Sequence, residues 1–375
     1  MAAGARAESS LAAELDRRTV EGAVCETGEK GWVRCLACGH ACRIPPGARG
    51  VCKVRFNDGG RLKVPWGYVA GRQCDPIEKK PFFHVHPGSL AYSFGMLGCD
   101  LHCGYCQNWV TSQALRDASA VSPPEDTSPD DLVEEATALG ARIVVSTYNE
   151  PLITSEWARA VFVEARSAGL MTAFVSNGNA TPRALDYLVP WLDCYKVDLK
   201  SFDDRHYRTL GGRLEPILES IADLHRRGVW LEIVTLLVPG FNDSPAELTR
   251  LTEFIAGVSR EIPWHVTAFH SDYRMADTRD TSADALVQAA AIGRRAGLAH
   301  VYAGNRPGAV GALEHTWCSA CGSLLVAREG YRINDYRITP AGRCPTCAQP
   351  VPGRWADRFE GQRTERPFVP LFLSR

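Results

Sequence analysis

At 375 residues, with 42 Lys and Arg against 43 Asp and Glu, the chain exceeds the usual single domain and is close to neutral. Neutrality removes a whole-chain electrostatic case for nucleic acid or an anionic membrane as partner. No apolar run approaches the ~20 residues of a membrane helix. The charged, alanine-rich start, "MAAGARAESSLAAELDRR", lacks the apolar stretch of a secretory signal, so a cytoplasmic, reducing setting is expected.

In chain order, residues 1–24 read as a flexible tail. Residues 25–90 form a small Cys-rich β unit, in which "VCKVRFNDGGRLKVPWGYVAG" sets two alternating apolar runs around a hairpin turn. From 91 to 308 strand-like runs ("LAYSFGML", "ARIVVSTY", "MTAFVSN", "LDCYKVDL", "VWLEIVTLLV", "WHVTAFH", "HVYAG") alternate with helical stretches. "SPDDLVEEATALG" and "SPAELTRLTEFIAGV" each open on a Ser cap with acidic residues in the first turns. That rhythm predicts an α/β fold with parallel strands, a partial (β/α)6-type TIM-like barrel. Polar segments after the runs, such as "TYNEP", "SNGN" and "DLKSF", then lie at the strand ends where barrel sites are built. Residues 309–375 form a zinc-ribbon-like C-terminal unit.

In a reducing setting the 14 cysteines read as metal ligands rather than disulfides. Cys25, Cys74 and Cys194 stand alone; the others form three clusters. Cys318, Cys321, Cys344 and Cys347 make two Cys-x2-Cys knuckles joined by a β segment, the pattern of structural zinc, with a redox or iron–sulfur site as the alternative. For Cys35, Cys38, Cys42 and Cys52 a closed zinc site is the first reading and an auxiliary iron–sulfur cluster the second; His40 is a substitute ligand. Cys99, Cys103 and Cys106 supply only three thiolates. A cubane held by three cysteines leaves one iron without a protein ligand, able to take a substrate group. The alternative is zinc completed by His102 or a distant residue.

Cys-x3-Cys-x2-Cys with an aromatic residue, Tyr105, before the last cysteine resembles the radical S-adenosylmethionine (SAM) signature. "DPIEKKPFFHVHPGS", "GCDLHCGYCQNW", "TYNEP", "VSNGN", "KVDLKSF", "VPGFNDS", "IPWHVTAFHSDY" and "VYAGNRPG" fall in order over residues 75 to 308. Together they resemble the radical SAM component of the AmmeMemoRadiSam system, a relative of pyruvate formate-lyase activating enzymes. The resemblance implies a [4Fe–4S] cluster on Cys99, Cys103 and Cys106, with SAM on its open iron and a 5′-deoxyadenosyl radical as the hydrogen-abstracting product. Glu150 matches the residue that meets the SAM amino group. Tyr148 and Asn149 stand where a Gly-Gly pair is usual, and Val175 where an acidic residue is frequent. Ser176 and Asn177 match contacts to the methionyl moiety, Asp198 and Lys200 partners for the ribose and the SAM carboxylate, His270 a histidine near the ribose, and Tyr105 the adenine neighbour. No residue is assigned to hydrogen transfer itself.

The implied partners are an electron donor such as flavodoxin or ferredoxin, a Memo-like protein and the third member of the system. The charged run Asp75, Glu78, Lys79 and Lys80 reads first as a solvated face, with a contact near the barrel mouth as the alternative. His265, Asp272 and Tyr273 are candidates for the substrate side; Asn242-Asp243 reads as turn chemistry. Two other functions stay open: activation of a glycyl-radical enzyme, and a zinc-ribbon scaffold or RNA-binding role. The second rests on Arg328, Tyr331, Arg332, Tyr336 and Arg337, a thin set of basic and aromatic residues.

Overall fold

The computed structural model describes residues 11–356. Eight strands build the central sheet: β1 (Gly71–Pro76), β2 (Leu90–Gly95), β3 (Ile143–Ser146), β4 (Met171–Ser176), β5 (Cys194–Asp198), β6 (Trp230–Leu237), β7 (Trp264–Ala268) and β8 (Val301–Gly304). Their spatial order follows the chain. β1 lies antiparallel on β2, and the remaining neighbours are parallel. Short apolar runs such as Ile143–Ser146 are buried along their whole length, as strands covered on both faces require.

Each parallel pair is bridged by a helix. These are α1 (Pro129–Ala138), α2 (Ser155–Ser167), α3 (Pro182–Leu188), α4 (Glu215–Arg226), α5 (Pro245–Val258) and α6 (Ala283–Arg295). Ser128 and Ser244 cap α1 and α5, and Ser128 forms a reciprocal capping box with Asp131. Between helices and sheet the rings of Phe94, Phe162, Phe174 and Tyr195 follow one another at centroid spacings of 5.5–6.4 Å; each buried ring contributes about 1.5–3 kcal/mol. β8 and β1 are the two ends of the sheet and do not pair. The barrel is therefore partial, with six helix-bridged steps as the alternation predicts.

Residues 19–21, which the sequence reading places in a loose tail, form a strand along Arg61–Pro65. Val20 packs there on the layer containing Leu62 and Val64, and this apolar contact overrides the polar composition around it. The part of the tail before residue 11, and the C-terminal unit after 356, lie outside the described residues. The "NDGG" hairpin joins Phe56–Asp58 to Arg61–Pro65. Gly59 (φ 58°) and Gly60 (φ 92°) turn it in the left-handed region.

Two buried arginines dock the small units. Arg55 donates to the Ile153 carbonyl (2.8 Å) and pairs with Glu156, which accepts from the N–H groups of Ala23 and Val24. From the C-terminal hairpin (Leu324–Glu329, Arg332–Tyr336), Arg328 donates to the Phe83 carbonyl (2.8 Å) and stands 4.4 Å from the Phe83 ring. Glu78 lies 3.9 Å from it.

Candidate active site

The loop carrying Cys99, Cys103 and Cys106 leaves the C-terminal end of β2. Gly98 makes that exit possible: its φ is 98°, and a Cβ there would meet Val54 at 2.9 Å and the Cys52 carbonyl at 3.3 Å. Leu101 N–H reaches the Cys99 sulfur (3.3 Å), and Ser112 Oγ lies 3.1 Å from the Cys106 sulfur. Burial pushes all three thiols up, Cys103 to about 12. A thiol held out of water ionises only against a compensating cation.

Two adjoining cavities, of about 90 and 360 Å³, open at this loop and share Cys103, Cys106, Tyr148, Asp198 and Lys200. The smaller is also lined by Cys99, Asn149, Glu150, Ser176 and Asn177, and the larger by Tyr105. Strand ends from β5 to β8 contribute to the larger one, so the sheet curls around it. Eleven of the twelve residues that the resemblance implies for cluster and SAM therefore border one continuous space; His270 does not. Its ring is exposed, with only the Ser271 carbonyl at 3.5 Å among the described residues.

Glu150 is buried at the end of β3, where it accepts from Ser176 Oγ (2.7 Å), Asn177 N–H (2.8 Å) and Leu152 N–H (3.0 Å). A carboxylate offers about four acceptor positions, so capacity remains for an ammonium. Burial first, then Asp100, raises its pKa to about 8. Tyr148 keeps a left-handed backbone (φ 70°) without being glycine; Thr111 holds its carbonyl at 2.8 Å and Lys80 its hydroxyl at 3.1 Å. Asn149 receives Met96 N–H at 3.1 Å.

Asp198 sits between two lysines on one face of β5. It pairs closely with Lys196 and lies 3.5 Å from Lys200. Lys196 was missed in the sequence, although residues 196, 198 and 200 share a face by the period of two. Asp100, inside the cysteine motif, was missed as well. It accepts from Asn177 Nδ2 (2.7 Å) and Asn179 Nδ2 (2.8 Å), and His40 lies 3.9 Å away. It thereby ties the cysteine loop to "VSNGN".

The charged run before β2 is not a solvated face. Asp75, Glu78 and Lys80 are buried, and Asp75 takes both Lys79 (3.2 Å) and Lys80 (3.0 Å). His265 lies low on β7, 2.7 Å from Glu232, away from the cavity mouth. Tyr273 stacks on Trp109 and donates to Asp117 (2.8 Å), outside the cavity lining. Asn242 serves its turn, bonding Lys200 O, Leu236 O and Val238 N–H at 2.8 Å each.

Residues 95–252 match the model of the Radical SAM superfamily. An uncharacterized protein of Methanocaldococcus jannaschii is 33% identical over 322 residues, spanning 85% of this chain and 95% of that protein. The chain belongs to the radical SAM superfamily. A pyruvate formate-lyase-activating enzyme of Staphylococcus epidermidis is 28% identical over 197 residues, 49% of this chain and 76% of that protein. Among solved structures, a domain of the pyruvate-formate lyase-activating enzyme of Bacteroides vulgatus covers 43% of this chain and 98% of its own, at 21% identity and a TM-score of 0.39. This radical SAM chain is an enzyme, and the family implies a [4Fe–4S] cluster and SAM. Three thiols around a shared cavity, Cys103 buried and Cys99 and Cys106 partly buried, in need of a cationic counterpart, fit that cluster.

The other clusters differ from each other. Zn–S bonds of 2.3 Å place tetrahedral sulfurs about 3.8 Å apart. Cys318 and Cys347 stand 3.6 Å apart, Cys321 and Cys344 3.7 Å, and all four sulfurs fall within 4.8 Å. This set could hold a metal. No three of the Cys35, Cys38, Cys42 and Cys52 sulfurs gather so tightly, and Arg55 Nη1 donates to the Cys35 sulfur at 3.3 Å. Arg55 thus stands beside one of the four sulfurs of this set.

Among the described residues no helix is long and apolar enough to cross a membrane.

Proposed function

We propose that this chain is the radical SAM enzyme of the AmmeMemoRadiSam system, working in the cytoplasm. Bound to Cys99, Cys103 and Cys106, the reduced cluster would supply the electron that splits SAM into methionine and a 5′-deoxyadenosyl radical for hydrogen abstraction from a substrate. The observation that carries this reading is the convergence of those three cysteines with Glu150, Asp198 and Lys200 on one cavity. The ordered segments from residue 75 to 308 support the system assignment, with a Memo-like protein and its third member as partners and flavodoxin or ferredoxin as electron donor.

On this reading each group of SAM has a partner of matching chemistry. Glu150, fixed by three donors, takes the ammonium. Lys200, held charged by Asp198, takes the carboxylate. Asp198 accepts from the ribose hydroxyls, and Tyr105, buried with Phe241 at 5.7 Å, packs on the adenine. Ser176 and Asn177 orient Glu150 and border the methionyl group. The narrow cavity excludes water from the radical. His270 takes a SAM-binding role only if its loop folds inward.

The four C-terminal cysteines are proposed as a structural zinc site. Iron and sulfide reconstitution under argon tests the main reading: SAM should change the electron paramagnetic resonance spectrum of the reduced protein, and the Cys99→Ala/Cys103→Ala/Cys106→Ala variant should lack both signals. A spectrum unaffected by SAM contradicts it. The likeness to pyruvate formate-lyase-activating enzymes favours a second reading, glycyl-radical activation. A glycine-centred radical on an added pyruvate formate-lyase would support that second reading over the first.

A further inference from the structure

Resting on the radical SAM reading of this site, we propose that the larger cavity holds a second subsite, in which Lys80 and Lys196 bind a small organic anion: a carboxylate or phosphate carried by the substrate. The larger cavity extends past the cysteine loop to Lys79, Lys80, Lys196, Leu236, Thr267 and Tyr331, residues without a SAM partner in the reading above. Lys80 and Lys196 are each about 5% exposed, so what their ammonium groups meet is the cavity rather than bulk water.

The wall of the larger cavity is rich in lysine. The lining includes four lysines but one carboxylate, Asp198, which serves both Lys196 and Lys200. A second carboxylate, Asp75, stands behind Lys79 and Lys80 and serves both. Lys80 thus shares its aspartate with Lys79, and Lys196 shares its own with Lys200. In the resting 2+ state a cubane on three thiolates carries one net negative charge and SAM one net positive charge, so before reduction the two offset each other. An anion placed between Lys80 and Lys196 would meet two buried ammonium groups that each share their aspartate with a second lysine, and a compact ammonium is well suited to carboxylate or phosphate oxygens.

The titration behaviour agrees with this picture. Burial draws Lys80 and Lys196 below the ordinary lysine value despite their aspartates, whereas Lys200 is held well above it. Lys80 and Lys196 are the two whose charge is incompletely compensated. Lys80 is also held in place, by Asp75 at 3.0 Å and the Tyr148 hydroxyl at 3.1 Å. The C-terminal unit takes part in the wall: Tyr331, in the turn of the hairpin docked by Arg328, borders the same space.

The test uses the reconstituted full-length enzyme, with and without SAM, titrated calorimetrically with inorganic phosphate and with succinate at constant ionic strength. At least one anion should bind, and its identity separates the two sources of charge. Lys80→Gln and Lys196→Gln should each raise Kd about tenfold or more, as loss of a charged hydrogen bond requires. Lys80→Arg, which keeps the charge, should remain within a few-fold of wild type. Should Lys196→Gln fail to fold, the Lys80 pair of variants decides the matter. Wild-type enzyme that forms 5′-deoxyadenosine yet binds neither anion overturns the subsite alone, as does binding that survives in Lys80→Gln. Lysine-dependent anion binding in protein that forms no 5′-deoxyadenosine supports the subsite and overturns the radical SAM reading instead.

Discussion

Replacing Asp100 with alanine should loosen the joint between the cysteine loop and the "VSNGN" loop. The Asp100 side chain has no exposed surface, and its two oxygens each take one amide donor, from Asn177 and Asn179. Hydrogen bonds to a charged group contribute about 1.5–3 kcal/mol each, so Asp100→Ala should cost about 3–6 kcal/mol and leave both amides buried without an acceptor. Asp100→Asn keeps one acceptor oxygen and sets an NH2 against the other amide, so its cost should be roughly half. Urea unfolding of the apo-protein measures both. A double-mutant cycle with Asn177→Ala should return a coupling of about 1.5 kcal/mol or more. If Asp100→Ala stays within about 0.5 kcal/mol of wild type, the range of an ordinary surface change, the joint does not exist as described.

Three further changes probe other parts of the account. Glu150→Gln should weaken SAM binding on the order of ten- to a hundred-fold by calorimetry, the loss of one charge-assisted bond; an unchanged Kd would remove Glu150 from the site. Burial raises the Glu78 carboxyl from 4.5 to about 7, so the folded state holds this proton more tightly than the unfolded chain. Its contribution to stability is present below pH 4.5 and is lost as pH rises through 7; Glu78→Gln should therefore gain on wild type in urea midpoint between pH 5 and pH 8, and a constant gap would contradict the assignment. Metal analysis should find one zinc per chain that is lost in Cys318→Ser/Cys344→Ser, whereas a second, retained zinc would place metal on the N-terminal cysteines.

Much of the barrel was legible because each strand is a short apolar run and four of the six bridging helices open on a capping Ser or Thr (Ser128, Thr181, Ser244 and Ser282), signals that need no tertiary partner. The same holds for "NDGG" and for the paired C-terminal knuckles. The cysteine motif announced the site, since three thiolates in eight residues have few other uses. What sequence concealed was pairing across the fold. "DPIEKK" looks solvated until Asp75 is seen to hold both lysines beneath the surface. Asp100 gives no sign of its role until two asparagines some eighty residues away close on it. His265 looked like a strand-end residue, yet Glu232 holds it low on β7, and His270 is exposed instead of lining the cavity. The four N-terminal cysteines have the spacing of a metal site, but spacing alone does not reveal that Arg55 stands among them.

The central claim, that Cys99, Cys103 and Cys106 hold a cluster that cleaves SAM reductively, is tested most directly by product formation. Reconstituted protein, dithionite and SAM should yield 5′-deoxyadenosine and methionine in equal amounts, and the triple Cys→Ala variant should yield neither. Iron-loaded wild-type protein that leaves SAM intact, or a triple variant that still forms 5′-deoxyadenosine, would contradict the claim.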